Sequence, residues 1–155
     1  MKVDEAYNLW AGVYDTNKNK TRDLELKVSK SILGTKYFAN ILELGCGTGK
    51  NTEWLSKNCN SLLGIDFSEE MLSIAKTKVV RENVKYKYAN LLKNWEFVDS
   101  RFDLIIASLI LEHIDNIGFI FNQAYFIFFS CYLFFVLYNE DKRLVQSFVF
   151  LSVHL

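Results

Sequence analysis

No proline occurs anywhere in the 155 residues, and none of the seven glycines lies beyond Gly118. The stretch after Gly118 therefore lacks the two residue types that most often mark turns. Cysteine is scarce too. Cys46, Cys59 and Cys131 are odd in number and show no metal-type spacing. That suits a reducing compartment and names no metal site. Neither sign of charge prevails, with 18 basic and 18 acidic residues. Nothing in that balance draws nucleic acid or an anionic membrane. Met1 to Glu5 carries acids and no apolar leader run, so no secretory signal is expected and a cytoplasmic location is.

What is present is core-forming material. Half of the residues are apolar and aromatics make up 15%, which excludes disorder and fits one domain. Val3, Ala6, Tyr7, Trp10 and Val13–Tyr14 fall at helical spacing, predicting a helix over 3–14. A second helix is expected over 22–33 through Leu24, Val28 and Ile32, stopping at Gly34. Ile41–Leu44 and Leu62–Ile65 are continuous apolar runs of buried strands. Between them, 48–58 has a helical pattern, and a strand–helix–strand unit of this length implies parallel pairing with a right-handed crossover. Ser68 suits a helix N-cap, with Glu69 and Glu70 in the first turn and Lys76 and Lys78 in the last. Val84, Tyr86 and Tyr88 alternate with Lys85 and Lys87, as in an edge strand with one wet face. Phe102–Ser108 is a further strand, with Asp103 in a structural role.

The chain is organised around Glu43-Leu-Gly45-Cys46-Gly47-Thr-Gly49. Three alternating glycines at a strand-to-helix turn allow positive φ and leave no side chain between backbone and ligand. Free N–H groups of the following helix would point at that ligand, and a nucleotide-like molecule is the default occupant. The dinucleotide fingerprint needs a third glycine three residues after the second, and Lys50 stands there. Asp66 ends the second apolar run about twenty residues after the first glycine, where a carboxylate accepts hydrogen bonds from both ribose hydroxyls.

Glu43 to Gly49, Asp66, the helix start Ser68-Glu-Glu-Met-Leu72 and Phe102-Asp-Leu-Ile105 together resemble the class I S-adenosylmethionine-dependent methyltransferases, closest to the small-molecule, type 11-like group. The likeness covers Tyr7 to Gln123. It implies an α/β fold: a Rossmann-like three-layer αβα sandwich with a mostly parallel sheet, incomplete against the family's seven strands. It implies S-adenosyl-L-methionine as cofactor and methyl transfer to a small-molecule acceptor. By the same resemblance Gly45, Cys46, Gly47 and Gly49 form the loop that admits the methionine part, and Glu43 supports its ammonium end. Asp66 holds the ribose, Phe67 lies beside the adenine, and Asn90 and Leu91 flank it. Ser108 and His113 face the transferred methyl, with His113 as candidate general base. Tyr14 and Arg22 match a lid segment, Arg22 pairing with the methionine carboxylate as a fork donor. Core packing is the competing reading for Trp10 and Tyr14.

The tail departs from the family pattern. Nine of thirteen phenylalanines lie from Phe119 onward, while the only charged residues there are Glu140, Asp141, Lys142 and Arg143. The expected division is a core over 1–123, with a helical cap over 1–34, and an atypical apolar tail over 124–155. Three readings of the tail compete. The favoured one has a degraded fifth strand at 132–136 and a final strand at 148–153. The second is a membrane contact through the uncharged run 117–138. The third is that the tail is not the family's own sequence, through an altered frame or a retained non-coding segment. Nucleic acid is not an expected partner, and oligomeric state is not legible. Two other function classes stay open: a truncated non-catalytic relic, and a nicotinamide-dependent oxidoreductase, which Lys50 argues against.

Overall fold

The computed structural model describes residues 3–96, 101–138 and 144–149. Helix α1 (Val3–Trp10) runs into a 3-10 turn at Ala11–Val13, and α2 (Lys20–Leu33) follows. Then come β1 (Phe38–Leu44), α3 (Lys50–Leu55) with a 3-10 turn at Ser56–Asn58, β2 (Cys59–Asp66), α4 (Glu69–Lys78) and β3 (Val84–Tyr88). The chain continues through β4 (Phe102–Ser108), a 3-10 turn at Leu111–His113, α5 (Ile117–Ile127), β5 (Phe128–Tyr138) and β6 (Leu144–Val149).

The six strands form one sheet in the order β3-β2-β1-β4-β5-β6. All neighbours pair in parallel except β5 with β6. The alternating side chains of β1 and β4 build a core on each face. Ile41, Leu104 and Ile106 pack with Leu33, Trp54 and Leu55 of α2 and α3. Leu42, Leu44, Ile105 and Ala107 pack with Ile120 and Ala124 of α5. Helices therefore cover both faces, the expected αβα arrangement, with β3 at one edge. Asp103 is structural: its carboxylate accepts the Ala39 and Asn40 N–H groups at 2.6 Å each, fastening the start of β1 beside β4.

Local chemistry sets the helix ends. The Asn19 side chain accepts the Thr21 and Arg22 N–H groups, so α2 begins two residues before the expected start. Ser68 caps α4 by accepting the Met71 N–H at 3.1 Å. Two expectations need correction. The helix expected over 48–58 is six regular residues and a 3-10 turn. The buried face of α2 is also not the Leu24–Val28–Ile32 stripe. Its buried residues are Glu25, Ser29 and Leu33, and Leu24 is exposed.

The apolar run 117–138 divides between α5 and β5, and α5 runs across the expected division between core and tail at 123/124. No helix among the described residues is long and apolar enough to cross a membrane. The fifth strand is longer than expected, and the last begins earlier, at Leu144; the remainder of the expected final strand, 150–153, lies outside the described residues.

Candidate functional site

In an open parallel sheet, ligands bind beyond the carboxyl ends of the strands where strand order reverses. Here the reversal lies between β1 and β4. A cavity of about 420 Å³ sits there, lined by Gly45 and Gly47 after β1, Asp66 and Phe67 at the end of β2, Tyr88 to Leu92 after β3, and Ser108 to Ile110 after β4. Tyr7 and Tyr14 from the N-terminal segment and His113 and Ile114 complete its wall. The volume suits a small-molecule site.

All three loop glycines have left-handed backbone: φ is 67° at Gly45, 52° at Gly47 and 81° at Gly49. That conformation is costly for any residue with a Cβ. Their surroundings differ. A Cβ on Gly45 would lie 2.3 Å from Ile110 Cγ2, so the β4 loop closes over it. A Cβ on Gly49, the residue before α3, would meet Ala75 and the Tyr86 hydroxyl. Only at Gly47 would it meet open space. Cys46 is buried, its thiol packed against Gly64 of β2, and neither Cys46 nor Gly49 lines the cavity.

Among the described residues, Asp66 is the one carboxylate in the cavity wall, and no Lys or Arg side chain lines it. Its Oδ2 accepts the Gly47 N–H at 2.8 Å and its Oδ1 accepts the Ser68 N–H at 2.9 Å. Burial pushes its pKa up, against the pull of N–H donors from Ser68, Gly47 and Phe67. Beneath the loop lies Glu43, 4% exposed, accepting the Thr52 hydroxyl at 2.6 Å. Burial drives its pKa up to about 8; the Thr52 bond opposes this, and the Glu25 and Asp66 charges add to it. Glu43 does not reach the cavity wall.

The remaining predicted residues divide. Phe67, Asn90, Leu91, Ser108, His113 and Tyr14 all line the cavity. The Asn90 side-chain oxygen is turned to its own loop, accepting the Leu92 N–H at 2.9 Å. The Ser108 hydroxyl donates to Glu25 Oε1 at 2.8 Å. Arg22 is absent from the wall. Its guanidinium donates to the Tyr14 and Asn17 carbonyls at 2.6 and 2.9 Å and lies 3.9 Å from the Tyr14 ring centroid. It therefore braces the turn that presents Tyr14.

Several contributors were not singled out by the sequence. Glu25, 4% exposed, accepts from Ser29 at 2.7 Å, Asn51 at 3.2 Å and Ser108 at 2.8 Å, joining α2, α3 and the end of β4. No periodic signal marks a buried glutamate. Asp15 accepts from Thr48 in the glycine loop and from Lys78 on α4, at 2.8 Å each. Burial works upward on Asp15, but bonds from Lys78 and Thr48 outweigh it and hold its carboxyl below the usual range. Tyr7 reaches His113 across the crevice, with Oη and Nε2 3.0 Å apart. Its place on the α1 stripe was the available signal.

The sequence profile described as "Methyltransferase domain" matches residues 41–126. The chain is similar to malonyl-[acyl-carrier protein] O-methyltransferase of Bacillus anthracis, 32% identical over 124 residues, covering 74% of this chain and 44% of that protein. It is also similar to demethylmenaquinone methyltransferase of Tropheryma whipplei, 32% identical over 95 residues, covering 60% of this chain and 39% of the relative. The chain thus spans less than half the length of these relatives. Among solved structures, the N-methyltransferase NodS of Bradyrhizobium japonicum in complex with S-adenosyl-L-homocysteine superposes with a TM-score of 0.73. That match has 18% identity over 86% of this chain and 71% of the other, a likeness of fold.

Proposed function

Since the chain belongs to the methyltransferase domain family, we propose that it binds S-adenosylmethionine in the crevice and transfers the methyl group to a small-molecule acceptor. The observation that carries this reading is the Asp66 carboxylate. Both its oxygens are tethered by backbone N–H groups, and no Lys or Arg is among the described residues that line its cavity.

The donor set fits the cofactor. A buried carboxylate with remaining lone pairs suits two ribose hydroxyls, each such bond contributing about 1.5–3 kcal/mol. Phe67, Leu91 and Asn90 offer apolar and polar edges to a base. Gly47 leaves space for close approach to the loop backbone. The buried ionisable side chains around the loop are all acidic, Asp66, Glu43 and Glu25, with no buried Lys or Arg among the described residues. Such surroundings favour the ammonium and sulfonium of S-adenosylmethionine and disfavour a pyrophosphate. The Gly47 N–H, which a phosphate would need, is already held by Asp66. This opposes the nicotinamide alternative.

When bound, the sulfonium supplies an already activated methyl group. The chain's own residues then have to orient the partners and exclude water. In this reading Asp66 holds the ribose, the Gly45–Gly49 loop receives the methionine part, and Glu43 acts through the loop on its ammonium end. Arg22 acts by holding Tyr14 at the mouth. Ser108 and His113 lie on the acceptor side. The relatives' names point to two acceptor types, a malonyl carboxylate on a carrier protein and a demethylmenaquinone.

Calorimetric titration of the full chain with S-adenosylmethionine, S-adenosylhomocysteine and NAD tests the reading. Micromolar binding of the first two without the third is expected. A folded protein that binds none of them would show the non-catalytic relic instead.

A further inference from the structure

We propose that the methyl acceptor is a neutral, largely apolar molecule carrying a weakly acidic hydroxyl, a phenol or enol, and that the Tyr7–His113 pair takes its proton. This rests on the methyltransferase reading above. Tyr7 and His113 are 106 positions apart in the chain, yet both line the cavity with Oη and Nε2 3.0 Å apart and ring centroids 5.9 Å apart. A phenol hydrogen-bonded to an imidazole at the mouth of a crevice is an acid–base pair within reach of a bound hydroxyl.

The charge around the pair defines what it can serve. Glu112 Oε1 stands 3.6 Å from His113 Nε2. Burial pushes the Tyr7 hydroxyl up to about 12, with Tyr14, Glu112 and Asp66 adding to the rise and Arg22 opposing it, so Tyr7 relays a proton to His113 and does not hold the charge itself. Arg22 donates to the Tyr14 and Asn17 carbonyls, and no Lys or Arg is among the lining residues described. A carboxylate acceptor would arrive already ionised, facing the Asp66 and Glu112 carboxylates, and would give the pair no proton to take, whereas a weakly acidic hydroxyl needs one removed. Leu91, Leu109, Ile110 and Ile114 give the wall an apolar surface.

The proton inventory closes. The acceptor O–H bond breaks and its proton passes to the Tyr7 oxygen, while the Tyr7 proton passes to His113 Nε2. The acceptor oxygen uses its freed lone pair to form the new O–CH₃ bond, and the electron pair of the broken C–S bond stays on sulfur. His113 then returns its proton to water.

The test uses the full chain saturated with S-adenosylhomocysteine, with 2-naphthol and 2-naphthoate as size-matched probes. At pH near 7.5, 2-naphthol should bind about tenfold or more tighter than 2-naphthoate. By absorption, the bound compound should show its naphtholate form at a pH about one unit or more below the free compound, since His113 keeps the transferred proton as an imidazolium beside the oxyanion. Tyr7→Phe and His113→Asn should each abolish that shift while keeping S-adenosylhomocysteine affinity. If S-adenosylhomocysteine itself fails to bind, the methyltransferase reading falls and this one with it. If it binds but naphthoate binds as tightly, or both variants leave the naphthol titration unmoved, this proposal alone is overturned.

Discussion

Gly47 donates its N–H to Asp66 Oδ2 at 2.8 Å, so the loop that ends β1 and the carboxylate that ends β2 form one unit. Asp66 consequently shapes the glycine loop as well as facing the cavity. Asp66→Ala should weaken S-adenosylhomocysteine binding by at least the worth of one such bond, about 1.5–3 kcal/mol, roughly tenfold or more, through loss of a charged acceptor. Calorimetry checks this; an unchanged dissociation constant would sink the ribose assignment.

The loop glycines should not respond alike to substitution. Gly45→Ala puts a Cβ 2.3 Å from Ile110 Cγ2 on a backbone at φ 67°. It should cost about 2–4 kcal/mol, from left-handed strain and overpacking together. Gly47→Ala meets no neighbour and should cost about 1–2 kcal/mol from strain alone. Denaturant melts of both, and of Gly45→Ala with Ile110→Ala, separate the two contributions. The double variant should recover the packing part only.

Glu25 holds three buried donors from three elements. Glu25→Ala leaves the Ser29, Asn51 and Ser108 groups without their acceptor, at about 1–3 kcal/mol for each one left unsatisfied. A drop in melting temperature well beyond that of an average core truncation is expected. Glu25→Gln keeps one acceptor oxygen and should lose far less. Equal melts for the two variants would show that the network does not hold the α2 cap.

Glu43 gives a dependence on pH. Its carboxyl stands near 4.5 in the ordinary state and at about 8 in the folded chain. A folded pKa raised above the unfolded one contributes stability that is complete below pH 4.5 and is lost as pH rises through 8. Asp66, also raised, acts in the same direction. Asp15, lowered, acts oppositely, its stabilisation being lost only as acid protonates it. The melting temperature should therefore fall between about pH 4.5 and pH 8. Glu43→Gln, which keeps an acceptor for Thr52, should flatten that slope. A parallel pH profile in the variant would assign the effect elsewhere.

What the sequence determined is what short-range pattern determines. Apolar runs and period-two alternation gave β1 to β4 and the edge position of β3. Ser68 with its flanking charges gave the start and end of α4. The glycine spacing and Asp66 gave the crevice, because positive φ and a strand-end carboxylate are local properties. Tertiary structure decided which groups those elements meet. The phase of α2 escapes apolar periodicity because its inward face carries Glu25 to donors on Ser29, α3 and β4, and such a pattern cannot register a polar network. Arg22 has the fork for a carboxylate, but the fold brings two carbonyls to it first. Tyr7 and His113 are strangers in sequence, and only the closure of α1 over the end of β4 makes them a pair.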